Sequence, residues 1–95
     1  MLLFDVKDRS TLVDITSTLI LEANSYRVWA VLVNQGATDI WVALGAAAVA
    51  DKGILLKAGG GALLIETTNP WPGEVYGIAE TSASKLTCQE VEERH

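Results

Sequence analysis

The side chains that could do chemistry in this sequence are few, and no reaction centre can be assembled from them. His95 is the only histidine and the last residue, and chain ends are usually mobile. We therefore expect neither metal ligation nor base catalysis from it. Without a second histidine, a Ser, Thr or Cys nucleophile would need a lysine or carboxylate as its base, and no such arrangement is visible. The sequence predicts a protein without catalytic residues.

Two further patterns resemble sites but are explained better as structure. Lys57 precedes a glycine run at 59–61, whereas a phosphate loop needs its Lys-Ser/Thr pair after the glycines, where a helix begins. Glu66 could pair with Glu74 or Glu80 as in a glycosidase. A chain of 95 residues leaves little room for a substrate cleft beside its only core. We predict that the glycine run is a plain turn and that the carboxylates of these three glutamates are solvated.

Cys88 is the only cysteine, which excludes an internal disulfide and any metal site built from several cysteines. We predict that it is a small buried apolar side chain. Neither a metal nor a cofactor is expected. The charged residues near the end of the chain are predicted to be a solvated tail, formed by Glu90, Glu92, Glu93 and Arg94.

Charge and hydropathy exclude two classes of partner. The net charge is −5 and the seven basic residues are scattered, so nucleic acid is not an expected partner. The longest apolar runs fall far short of the roughly 20 residues that a membrane helix needs. Asp5 and Asp8 interrupt the opening Met-Leu-Leu-Phe, where a secretory signal would continue apolar. We expect a soluble protein that is made in a cytoplasm.

The elements that must position these residues are β-strands. Val, Ile, Thr, Trp and Tyr gather in short runs separated by Gly, Asn, Asp or Pro, a pattern typical of an all-β sandwich or barrel. The alanine-rich stretch 45–50 is too short to nucleate a helix and is predicted to be a loop. We predict one antiparallel, jelly-roll-like β-sandwich of about eight short strands. The predicted strands are 11–15, 18–23, 27–34, 38–44, 53–57, 61–67, 74–81 and 85–92.

Glycines mark the turns between these strands. Asn34-Gln35-Gly36, Asp51-Lys52-Gly53 and Ala58-Gly59-Gly60-Gly61 supply residues that tolerate positive φ where the chain reverses. Each is predicted to mark a hairpin or a sheet edge. The expected turn glycines are Gly36, Gly53, Gly59 and Gly60.

Strand 27–34 carries more apolar surface than one interior can cover. Alternation places Trp29, Val31 and Val33 on one face of the strand, and it places Val28, Ala30 and Leu32 on the other. Because both faces are apolar, both must be covered. The chain is 49% hydrophobic, which is high for so small a domain. We therefore predict a homo-oligomer, either a trimer or a dimer.

Three tryptophans could form core, protein contacts or a sugar-stacking platform. Trp71 stands between Pro70 and Pro72, so we expect it in a stiff loop that presents it at low entropic cost. The residues predicted to contact a partner are Arg27, Trp29 or Trp41, Trp71 and Tyr76.

The order of turn glycines and apolar strands resembles small β-sandwich structural proteins of tailed bacteriophages. The resemblance covers about residues 18–92. It rests on Arg27, Asn34-x-Gly36, the strand ending at Gly45, Gly53-x-Leu55, Gly59-Gly60 and Gly73-x-Val75-Tyr76-x-Ile78.

The resemblance implies a non-enzymatic virion component, first of all a capsid decoration or cement protein that contacts the major capsid protein or other virion proteins. A tail, baseplate or fibre component is the first alternative. A carbohydrate-binding module that uses Trp41 and Trp71 as a platform is the second, and a small hydrolase subunit the weakest. Residues 1–16 are expected to be an N-terminal arm or edge strand, able to add to a neighbour's sheet, and residues 17–95 the sandwich domain.

Overall fold

The computed structural model describes residues 3–94, and His95 lies outside the described residues. Within that range there are nine strands and no helix, and hence none long and apolar enough to cross a membrane. The strands are β1 (Leu3–Asp8), β2 (Thr11–Val13), β3 (Thr18–Leu21), β4 (Arg27–Asn34), β5 (Ile40–Leu44), β6 (Ile54–Leu56), β7 (Ala62–Ile65), β8 (Val75–Ala79) and β9 (Ser84–Arg94).

The strands form two antiparallel sheets that enclose one core, which confirms the predicted β-sandwich. The first sheet has the order β1-β9-β4-β7, with β2 also paired to β9, and the second has the order β3-β8-β5-β6. The pairs are nested: β5 with β6, β4 with β7, β3 with β8, and β1 and β2 with β9. This is a long antiparallel hairpin rolled into two layers, the arrangement of a jelly roll.

The core lies where the inward side chains of the two sheets meet. Alternation along β5 buries Ile40 and Val42, and alternation along β8 buries Val75 and Ala79. Full burial of each large aliphatic side chain stabilises the fold by about 1.5–3 kcal/mol. The buried cluster consists of Val13, Ile20, Leu21, Ala30, Leu32, Ile40, Val42, Leu56, Ile65, Val75, Ala79, Leu86 and Cys88.

The segment before residue 17 pairs with β9 of its own chain. Leu3–Asp8 lies opposite residues 89–94, and Thr11–Val13 opposite residues 84–86. Between these two strands, the Arg9 amide donates to the Cys88 carbonyl at 2.7 Å, and the Cys88 amide donates to Ser10 Oγ at 3.0 Å. β1 and β2 thus form one interrupted edge. Addition of this segment to a neighbour's sheet stays a prediction.

The predicted turns differ in what they connect. The loop that contains Asp51-Lys52-Gly53 joins β5 to β6, the only strands adjacent in sequence that pair in one sheet within the described chain. The segments 34–39 and 57–61 instead cross from one sheet to the other, so they are arches rather than hairpins. Local sequence carries no signal for this difference, because the same turn residues serve both.

The turn glycines are required for two different reasons. Gly53, Gly59 and Gly60 have φ values of 91°, 75° and 131°, which L side chains rarely adopt. Gly36 does not have a positive φ, contrary to our expectation. It must be glycine because a Cβ there would lie 1.9 Å from Ser84 Oγ.

Asn34 holds the arches together at the end of β4. Its side chain is fully buried. Nδ2 donates to the carbonyls of Thr38 at 2.8 Å and Leu56 at 2.9 Å, while Oδ1 accepts from the Gly36 amide at 3.0 Å and from Ser84 Oγ at 2.8 Å. All four hydrogen bonds of one amide are therefore made inside the protein, across both sheets.

Replacing Asn34 with leucine should destabilise the fold by about 2–4 kcal/mol, because buried donors and acceptors lose their partner. Urea unfolding would measure this as a lower midpoint. The adjacent Gln35→Leu is the matched control, since Gln35 is exposed and its loss should cost less than about 1 kcal/mol. Equal midpoints for the two variants would contradict the role given to Asn34.

Candidate functional site: the outer face of the first sheet

A bulge decides which side chains of β4 point outward. Arg27 lies opposite Glu92 and Trp29 opposite Val91, so Val28 is an extra residue in the strand. Two residues that share one opposite position change the alternation of the strand. Val28 accordingly lines the same groove as Trp29, whereas alternation alone places it with the inward Ala30.

The outer face of the first sheet carries a group of apolar side chains, interrupted by Thr87 and Gln89 of β9, which lie opposite Val33 and Val31. Trp29, Val31 and Val33 are only partly buried, so the described part of the chain does not enclose the second face of β4. Phe4 and Val6 of β1 are 52% and 62% exposed. We call this surface the apolar face; its members are Phe4, Val6, Val28, Trp29, Val31, Val33, Leu64 and Val91.

The apolar face contains a groove of about 520 Å³ at the end where β1 lies. Phe4, Val28 and Trp29 form its apolar lining, and Glu66 and Glu93 contribute carboxylates. An apolar centre with charged groups beside it is the usual composition of a protein contact surface.

The outer face of the second sheet is also apolar, but its aromatic polar atoms are used within the chain. Trp41 donates its indole N–H to the Glu80 carboxylate. The Tyr76 hydroxyl donates to Glu74 Oε2 at 3.2 Å. Burial and the neighbouring Glu74 carboxylate raise the pKa of Tyr76. The same face carries Leu19, Ala43, Leu55 and Ile78.

Arg27 is an internal anchor. Its side chain is 1% exposed, and Nε donates to Glu90 Oε2 at 2.7 Å. Nη1 donates to the carbonyls of Trp71 at 2.7 Å and Gly73 at 3.0 Å, and Nη2 to that of Glu22 at 2.6 Å. One guanidinium thus joins β4, β9 and two loops. It offers almost no surface to a partner, so we do not retain it among the contact residues.

Glu90 is the counter-charge, and its burial corrects our prediction of a solvated tail. The residue is 2% exposed. Besides Arg27, it accepts from Arg9 Nε at 3.1 Å and from Asn24 Nδ2 at 3.4 Å. Burial by itself would raise the pKa of Glu90, but the hydrogen bonds from Arg27 and Arg9 outweigh it and leave this pKa below its usual value. Alternation from Leu86 through Cys88 could have indicated the inward position.

Trp71 lies in a loop, as its flanking prolines predict, but its ring faces the protein. It packs against the buried cluster, and its indole N–H donates to the Glu74 carbonyl at 2.9 Å. A Cβ at Gly73 would lie 2.7 Å from the ring. Of the predicted contact residues, only Trp29 therefore lies on the apolar face, while Trp41 and Tyr76 lie on the other sheet.

No family model, curated protein or solved structure matches this chain. Within residues 3–94, no group of three His, Cys, Asp or Glu side chains is placed to hold a metal ion. The groove beside Glu90 measures about 390 Å³ and is lined by Arg9 and Glu92 among others. Arg9 and Glu90 of this groove are already paired with each other at 3.1 Å. Both outer faces expose apolar side chains, and the apolar face has some of the most exposed of these in Phe4 and Val6 of its edge strand, beside the groove at Trp29.

The ion pair between Arg27 and Glu90 should make the free energy of unfolding fall at acid pH. Because the pKa of Glu90 is lower in the folded chain than its usual value of 4.5, its contribution is complete above that pH and is lost as the pH falls through the lowered pKa. Glu90→Gln should remove this part of the acid dependence and cost about 3–5 kcal/mol at pH 7, since Arg27 keeps a buried charge without a partner. Urea unfolding between pH 3 and 7 measures both effects.

Glu92→Gln is the control for that experiment. Glu92 contacts Lys7 at 4.0 Å near the surface, so this variant should lose less than about 1 kcal/mol and keep the acid dependence of the parent. A Glu90→Gln chain with the parent's stability at pH 7 would contradict the anchoring role.

Cys88 should not react in the folded chain. It is 1% exposed, and burial and the nearby Glu90 raise its pKa to about 12, so almost no thiolate forms near neutral pH. Burial of Cys88 is as predicted from the sequence. We expect alkylation by iodoacetamide, followed by mass spectrometry, only after urea unfolds the protein. Rapid labelling in native buffer would show that the interior opens readily.

Proposed function

We propose that this chain is a non-enzymatic structural protein whose apolar face docks onto the shell of a tailed bacteriophage as a capsid decoration protein. The observation that carries the proposal is the exposure of that face, which holds Trp29, Val31 and Val33 around the centre of the first sheet. A contiguous apolar surface on a soluble domain usually marks a contact with another protein.

The central strand of the apolar face is held at both ends. β4 is anchored by Arg27 at one end and by Asn34 at the other, and its pairing with β7 and β9 continues between them. A surface that is already ordered loses less conformational entropy when it binds. The side chains of such a strand can make the same contact in every copy of the chain that binds the shell.

A weak contact per copy is enough for stable binding when many copies bind the same shell. A shell presents many equivalent positions, and copies that also contact each other gain avidity from the lattice. The net charge of −5 favours solubility before docking. The phage assignment itself rests on the resemblance of turn glycines and apolar strands; a tail or fibre location would use the same face.

The carbohydrate-binding alternative gains no support from the placement of its two tryptophans. Trp41 points away from the core and donates to Glu80, whereas Trp71 packs against the core. A stacking platform needs ring faces presented together to the sugar. We therefore keep protein contact as the function.

The docking test compares matched substitutions on the two outer faces. Val31→Lys places a charge at the centre of the apolar face and should lower co-sedimentation with empty phage shells by about tenfold or more, because a buried unpaired charge is costly. Ile78→Lys is the control, since Ile78 is a partly buried aliphatic residue on the second sheet. It should bind shells as the parent does.

Circular dichroism and thermal unfolding would establish that both variants fold. Equal shell binding by the parent and Val31→Lys would overturn the proposed docking face. Absence of shell binding by the parent would overturn the decoration function. Microscopy of the particle with the chain located in its tail would replace the capsid assignment with the tail alternative.

A further inference from the structure

β1 is the longest edge strand in the described part of the chain. The other edge strands are short: β7 and β3 have four residues each, β6 has three, and β3 also contains a register shift. β1 has six residues in unbroken register with β9, without proline or glycine. Edges are normally protected by shortness, bulges, proline or charged side chains, and of these β1 has only the charges of Asp5, Lys7 and Asp8. A strand that adds to this edge must therefore match those charges.

The charges of β1 complement the charges of a second β1. Asp5 and Lys7 stand on either side of Val6. When two such strands pair antiparallel about a two-fold axis centred on Val6, the valines face each other and each Asp5 faces the Lys7 of the other copy. One strand thereby supplies both halves of two ion pairs.

The same charges disfavour the neighbouring registers. With the two-fold axis perpendicular to the sheet, opposite residues must point to the same side, so the axis passes through a residue position. Centring the pair on Asp5 would bring two aspartates together, and centring it on Lys7 would bring two lysines together. Like charges directly opposite each other are destabilising. The Val6-centred register is the one that the charge pattern selects.

We infer that a second copy of this chain adds to β1 in that register, so that the two first sheets become one continuous sheet. The inference rests on the proposed function, because it supplies the contact between copies that a decorated shell requires. Phe4 and Val6 belong to the apolar face. The pairing therefore also joins the apolar faces of the two copies side by side.

The test uses charge reversal in two separate chains. Asp5→Lys places a positive charge opposite Glu92 of its own chain and two lysine pairs across the dimer. Lys7→Glu instead places two pairs of carboxylates across the dimer, because each residue 7 faces Asp5 of the other copy. Sedimentation velocity should show a dimer for the parent and a dissociation constant raised about tenfold or more for each variant alone.

Mixing the two variants should restore the dimer. In the mixed pair each introduced charge faces an opposite one, so native mass spectrometry should show the heterodimer in excess of both homodimers. An altered fold cannot produce this rescue. Circular dichroism verifies that both chains are folded before they are mixed.

The possible results separate the two proposals. A parent dimer that Asp5→Lys leaves unchanged, or folded variants that form no heterodimer, would overturn edge pairing. A monomeric parent that still binds phage shells would overturn edge pairing alone. A parent dimer that shows the charge rescue but does not bind shells would support edge pairing and overturn only the decoration function.

Discussion

The buried ion pair between Arg27 and Glu90 determines how the first sheet presents itself to solvent. Glu90 lies opposite Ala30 on the interior side, so its counter-charge must also turn inward. The bulge at Val28 makes this possible, because the extra residue changes the parity of the strand before Trp29. Val28 and Trp29 then share the outer surface. The apolar face and the buried charge are two results of one irregularity in β4.

Polar side chains at the two ends of β4 connect the two sheets through hydrogen bonds to loops and arches. Arg27 binds carbonyls of two loops at one end, and Asn34 binds those of two arches at the other. Within the described chain, no buried side-chain nitrogen or oxygen is left without a partner. Satisfied polar networks in a dry interior favour one arrangement over similar ones. Burial of the aliphatic core stabilises the fold, and the hydrogen bonds of Arg27 and Asn34 fix how the two sheets lie against each other.

Much of the fold could be predicted from the sequence, because alternation and turn residues are local signals. All eight predicted strands correspond to β2–β9, and the sandwich class is right. β1 was not among the eight predicted strands, although residues 1–16 were expected to form an arm or edge strand, because Asp5, Lys7 and Asp8 leave it few apolar residues. The bulge at Val28 and the arches depend on which strands become neighbours, which no local pattern records. For the same reason Glu90 was predicted to be exposed, and of the contact candidates only Trp29 fell on the face chosen here.

The nested topology has a consequence for synthesis of the protein. β9 follows all the other described strands in sequence, yet it lies between β1 and β4 in the first sheet. During translation β4 can pair with β7 first, but its second neighbour, β9, lies more than half the chain away. Topologies dominated by such distant contacts fold slowly, and unpaired strands in the interval are prone to aggregate. Until β9 has been synthesised, β1, β2 and one edge of β4 have no partner in the first sheet.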